Sequence, residues 1–178
     1  MNEREELKAI LKERSVLKGD FTLVSGRKSS YYVNGKMTTL NARGLYLSAK
    51  LLLERFAGLA YEGFAGPTIG ADPIIGALLT LSALGGRQKE GLLIRKEAKD
   101  HGTKSLVEGN LAKGMRIILL EDVATTGGSL LKAAKAIEEG GGTIAGIFTI
   151  IDREEGAGAN LAQAGYTFSS LFTVKELL

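Results

Sequence analysis

Residues 115–152 contain three segments whose order leaves few folds open. MRIILLED reads as a strand, GGSLLKAAKAIEEGG as a helix and TIAGIFTIID as a second strand. A helical crossover of that length is what a parallel pair of strands requires. The rhythm recurs on either side. Upstream lie a short apolar run near Phe64, a Gly/Pro loop, a helix from Pro73 to Leu84 and a strand, GLLIRKEA, over 91–98. Downstream come a helix holding Leu161 and Ala164 and a last strand, YTFSSLF. The pattern predicts an α/β fold with a mainly parallel sheet flanked by helices on both faces.

The first 40 residues break the rhythm. Residues 3–17 predict a helix with acids in its first turn, Leu7, Ile10, Leu11 and Arg14 on one face, and Gly19 as its stop. GDFTLVSGRKSSYYVNGK (19–36) predicts two short strands around a Ser/Gly turn. Asn41 can cap a second helix carrying Leu45, Leu52, Leu53 and Phe56. A chain of 178 residues suits one domain over 1–178, with an N-terminal helix and hairpin over about 1–40 and a core over about 41–178.

Composition removes several kinds of chemistry. Without Cys there are no disulfides and no thiolate catalysis, and a single His rules out a multi-His zinc site. A net charge of +3 is too mild to argue for nucleic acid. The charged start, MNEREELKAI, is unlike a signal peptide, and PIIGALLTLSALGG is too short and Gly-rich to span a bilayer. The expectation is a cytoplasmic protein with neither a nucleic acid nor a membrane as partner.

In a parallel sheet, ligands bind at the carboxyl ends of the strands. Three groups are predicted at that rim: Glu121-Asp122, the loop after Ile94, and Asp152-Arg153. Behind the acids, Thr125 to Ser129 offers backbone N–H groups, three hydroxyls and a helix start, all favourable to a phosphate. It is neither a Walker A loop nor a G-x-G-x-x-G turn. The carboxylates would repel a phosphate, yet they accept hydrogen bonds well from vicinal hydroxyls. Cradle and acids together describe a ribose 5-phosphate. Alone, the acid pair could simply end a strand and cap a helix. RKEAKDHGTK gathers Arg95, Lys96, Lys99, His101 and Lys104, either a solvated basic loop or a cationic lid hinged at Gly102. Arg153 could pair with a neighbouring acid, or offer its fork to a planar carboxylate. The tyrosines of the hairpin could pack among themselves or stack on a flat ring.

The run EDVATTGGS resembles the signature of the type I phosphoribosyltransferases, which bind phosphoribosyl pyrophosphate. RKEAKDHGTK resembles the catalytic loop, and FTLVSGRKSSYYVNGK the N-terminal hood, of the orotate phosphoribosyltransferases within them. Together these likenesses cover nearly the whole chain. They imply a type I phosphoribosyltransferase-like fold with a small hood. For the donor they imply binding by Arg95, Lys96, Lys99, His101, Glu121, Asp122, Val123, Ala124, Thr125, Thr126, Gly127, Gly128 and Ser129, with Lys99 and Asp122 catalytic. For orotate they imply Ser25, Gly26, Tyr32, Thr125 and Arg153. His101 is expected on phosphate rather than on a metal. Mg²⁺ is expected through the donor's diphosphate, with Asp72 as a further carboxylate. Two departures stand out: Val24 occupies a place where many members carry Lys, and GADPII (70–75) lacks the Lys that some members have there.

The resemblance implies transfer of ribose 5-phosphate from phosphoribosyl pyrophosphate to orotate, giving orotidine 5′-monophosphate and pyrophosphate in pyrimidine biosynthesis. It also implies a homodimer whose 96–109 loop acts on the neighbouring subunit. A sister transferase for a purine or another pyrimidine would share EDVATTGGS without the hood and the RKEAKDHG loop. A non-catalytic nucleic-acid-binding regulator of the same fold would not need the loop lysine.

Overall fold

A computed structural model describes residues 2–22, 28–97 and 105–178. Helix α1 (Glu3–Arg14) starts where the Asn2 side chain accepts from the Glu5 amide at 2.8 Å, and acids fill its first turn. It ends at Arg14, earlier than the sequence suggested. Ser15 turns the chain through a buried 2.7 Å hydrogen bond to Thr38, and Val16 opens strand β1 (Val16–Thr22). Gly19 therefore does not stop the helix. It lies inside β1 at φ 152, where the pairing register shifts between Lys18 and Phe21.

β1 pairs antiparallel with β2 (Lys28–Val33), making a two-stranded sheet of its own. A short helix α2 (Lys36–Thr39), not foreseen, leads to α3 (Ala42–Arg55), which Asn41 caps by accepting from the Gly44 amide. Of the apolar residues expected on α3, Leu52 is fully buried, as is Phe56 just after the helix; Leu45 and Leu53 are only partly covered.

The second sheet has six strands in the order β5-β4-β3-β6-β7-β8. Strands β3 (Gly63–Pro67), β4 (Glu90–Ile94), β6 (Arg116–Ala124), β7 (Thr143–Asp152) and β8 (Phe168–Thr173) are parallel. Between them run α4 (Asp72–Leu84), α5 (Gly128–Glu139) and α6 (Ala157–Gln163). β4 ends at Ile94, so Arg95 and Lys96 already lie beyond it. β5 (Val107–Glu108) is a two-residue antiparallel edge inside the stretch expected to be loop. A last helix α7 (Val174–Leu177) begins at a capping box formed by Thr173 and Glu176. Arg4 fastens it to α1, donating to Glu176 at 2.6 Å and lying 4.4 Å over the Phe172 ring.

Two apolar layers share this sheet. Ile118 and Leu120 of β6 pack with the α1, α3 and α4 side, around Phe56, Phe64 and Leu78. Ile117 and Leu119 pack with the α5 and α6 side, around Ala133, Ile137 and Leu161. Burial on both faces explains why β6 reads as an unbroken apolar run. Among the described residues no helix is long and apolar enough to cross a membrane.

Candidate active site

The acids Glu121 and Asp122 do not end β6, as the sequence suggested. The strand continues through Val123 and Ala124, paired with Ile151 and Asp152 of β7. Successive side chains on a strand point to opposite faces. Glu121 therefore follows Ile117 and Leu119 to the α5 side, where Ser129 Oγ lies 2.8 Å from both of its oxygens. Asp122 follows Ile118 and Leu120 to the other side. There its carboxylate sits between two glycines. A Cβ on Gly35 would come within 2.8 Å of Oδ2, and one on Gly70 would overlap Oδ1. Neither glycine has a positive φ, so it is this close approach that excludes a side chain.

Both acids line one cavity of about 790 Å³ at the carboxyl ends of the parallel strands. Its wall includes Thr68 to Gly70 after β3, Arg95 and Lys96 after β4, Gly128 and Ser129, and Lys36 from the hood side. Burial pushes the Glu121 carboxyl up to about 7. The Ser129 hydrogen bond and the Lys36 charge oppose that rise, and the Asp122 charge adds to it. Asp122 is also raised by burial, with Lys36 pulling the other way.

The cradle is built from behind. Ala157 N donates to Thr125 O at 3.0 Å, and Asn160 Nδ2 donates to Thr126 O at 2.9 Å, so α6 holds the loop. Gly127 sits at φ 79 and starts α5 without a capping side chain, which leaves the first-turn N–H groups for a ligand. Val123 presses on Gly35, and Ala124 is buried.

Arg153 lies outside the cavity. Its amide donates to Ala124 O at 2.9 Å, which anchors it just past β7. The residue is 7% exposed, with Nη2 at 2.7 Å from Glu155 and Cζ at 5.4 Å from the Tyr31 ring. The adjacent residue, Tyr32, points to the other face of the hairpin and meets Phe21, ring centroids 5.7 Å apart. The predicted rim thus resolves into two clusters: the cavity around Glu121 and Asp122, and the Arg153–Tyr31 corner beside Thr125. Arg95 reaches Glu108 at 3.2 Å across an exposed edge. Asp72 opens α4, with Oδ1 buried and without a hydrogen-bond partner among the described residues. Val24, Ser25, Gly26, Lys99, His101, Gly102 and Lys104 lie outside the described residues.

Sequence reasoning missed Lys36, Gly35, Gly70, Tyr31 and Glu155. Lys36 closes the same YYVNGK run that suggested the hood, and only its charge hinted at a role.

A phosphoribosyl transferase domain model matches residues 88–173. The orotate phosphoribosyltransferase of Thermosynechococcus vestitus is 46% identical over 175 residues, covering 98% of this chain and 92% of that protein. The chain belongs to the orotate phosphoribosyltransferase family. The family member from Aquifex aeolicus is 41% identical and is covered to 99%, with all of this chain matched. A crystal structure of the family's Mycobacterium tuberculosis member superposes with a TM-score of 0.88 at 35% identity, covering 99% of each chain. The same mycobacterial enzyme in complex with 5-phospho-α-D-ribosyl 1-diphosphate gives 0.84 at 32% identity.

Proposed function

We propose that this chain joins orotate to phosphoribosyl pyrophosphate, releasing orotidine 5′-monophosphate and pyrophosphate, as its family membership implies. The observation that carries the reading is the convergence, in one cavity, of two carboxylates from opposite faces of β6 with an uncapped helix start and the cations Lys36, Arg95 and Lys96. The cradle from Thr125 to Ser129 takes the 5′-phosphate on backbone N–H groups and hydroxyls. Glu121 and Asp122 accept from the ribose hydroxyls and fix the sugar. The Arg153 guanidinium takes the orotate carboxylate, and Thr125 borders the ring; Ser25, Gly26 and a hood tyrosine complete the acceptor side.

As the C1–diphosphate bond loosens, negative charge grows on the leaving oxygens. Lys99, with Arg95, Lys96 and His101, stabilises that charge, and an orotate nitrogen closes the new bond to C1. Mg²⁺ carried on the diphosphate would supply further positive charge to those oxygens. Among the described residues no group of three or more acid or His side chains could cage a metal. Asp72, whose buried Oδ1 has no hydrogen-bond partner among the described residues, would be the further carboxylate to hold the Mg²⁺. The same reading makes the chain one domain and a cytoplasmic homodimer, with the 96–109 loop closing on the neighbour's site.

The test is direct: mix the protein, Mg²⁺, phosphoribosyl pyrophosphate and orotate, and follow the loss of orotate absorbance. Turnover with a purine and none with orotate would overturn the reading.

A further inference from the structure

The turn after β7 is shaped around a contact that the reaction above does not use. Glu154 stands at φ 55, an uncommon conformation for a side-chain-bearing residue, and Gly156 at φ 109. The Glu154 amide donates to Asp152 Oδ1 at 2.8 Å, and its carboxylate accepts from Lys175 at the surface. With Glu154 turned outward, Glu155 is turned inward. Its Oε1 lies 2.7 Å from Arg153 Nη2, and the two side chains are only 19% and 6% exposed. Tyr31 covers the guanidinium, whose Nε is buried with no hydrogen-bond partner among the described residues.

A guanidinium this deeply buried must be neutralised, or its desolvation goes uncompensated. In the ligand-free protein Glu155 does this for Arg153. An acceptor carboxylate brings a second negative charge to the same guanidinium. Two carboxylates a few ångströms apart in a partly buried site repel strongly. A base without a carboxylate meets no such repulsion and leaves the ion pair untouched. Arg153 still has a donor to give, since no described residue claims its Nε.

We propose that Glu155 is an internal stand-in for the acceptor's carboxylate: it neutralises Arg153 until a carboxylated pyrimidine takes the guanidinium over. Glu155 is then a specificity-determining residue that weakens the hold on carboxylated ligands. It eases departure of a product that still carries the group. The inference rests on Arg153 being the acceptor anchor.

Calorimetric titration with orotate and with uracil, the same ring without the carboxylate, tests it. In Glu155→Gln the amide oxygen still faces Nη2, so the guanidinium keeps its place while the competing charge is gone. Orotate is expected to bind about tenfold tighter than to the wild type, and uracil equally. Glu155→Ala, also uncharged, is expected to change orotate binding in the same direction, so the test does not hang on one variant folding. If the wild type binds orotate and neither variant binds it more tightly, Glu155 is only a brace and the proposal fails alone. If uracil gains as much as orotate, it fails as well. If no form binds orotate, the reading of Arg153 as acceptor anchor falls, and this inference with it.

Discussion

Two adjacent carboxylates, Glu121 half-buried and Asp122 buried, give this site its sharpest chemical signature. Glu121 is raised to about 7 from an ordinary 4.5, mainly by burial. The unfolded chain ionises this group near pH 4.5, while the folded chain holds the proton until about pH 7. Its contribution to stability is therefore full below about pH 4.5 and is lost as the pH rises to about 7. With allowance for solvent at the cavity mouth, the loss is about 1–3 kcal/mol, and Glu121→Gln is expected to flatten that stretch of the denaturant-midpoint profile. Donor affinity moves the opposite way, improving towards pH 7 as the carboxylate needed by the ribose hydroxyls forms. A variant profile as steep as the wild type would count against Glu121 as the group responsible. Asp122 is also raised by burial, and it is held in place by close-set glycines. Gly35→Ala would put a Cβ 2.8 Å from Oδ2 and Val123 Cγ2. The catalytic efficiency for donor, kcat/KM, is expected to fall about tenfold, or about 1.4 kcal/mol. A fall in Tm with donor kinetics unchanged would mean that Gly35 serves packing alone.

At the scale of elements, the phosphate cradle depends on α6 as much as on its own sequence. Gly127 is left-handed, and a Cβ there would meet Leu161 Cγ at 3.3 Å. Gly127→Ala is expected to cost about 1–2 kcal/mol from backbone strain, lowering Tm by roughly 3–6 °C, and to raise the donor KM as the loop shifts. Thermal melts and steady-state kinetics together check both halves. The same scale shows what the sequence could reveal. β6, α5 and β7 were legible because their apolar periods are long and their punctuation is strong. α2 and β5 were not, since four residues and two residues carry no period; tertiary contacts form them. α7 was legible in principle, because TVKE is a capping-box pattern, but it is only one turn long. In the site, the acids and cradle were readable as chemistry. Which of Tyr31 and Tyr32 meets Arg153 was not, because adjacent tyrosines leave the parity of β2 undetermined. Lys36, Gly35 and Gly70 were invisible because their roles come from contacts between segments far apart in the chain.

At the scale of the molecule, the exchange of loops between subunits is testable by mixing. A variant broken in the body of the site, Glu121→Ala with Asp122→Ala, is refolded with one broken in the loop, Lys99→Ala. If the loop acts on the neighbour, half the dimers are mixed and half their sites intact, so roughly a quarter of wild-type activity should return. A well-exchanged mixture that stays inactive would rule out the crossing loop. The shared strand β6 sets a different constraint on the whole. Ile117 and Leu119 serve one apolar layer, Ile118 and Leu120 the other. Either pair could fill either layer, so the hydrophobic interior is nearly indifferent to the phase of this strand. The acids are not: a shift of one residue sends each to the wrong side. Strand length, counted from Gly114, is thus held by chemistry and not by the core. One apolar residue inserted between Arg116 and Glu121 is expected to yield a folded protein, seen in its circular dichroism, that no longer binds the donor. An insertion at Gly141, at the opposite end of the sheet, should leave donor binding intact. Trading Ile for Leu here keeps each acid on its own side, whereas adding or dropping a residue does not.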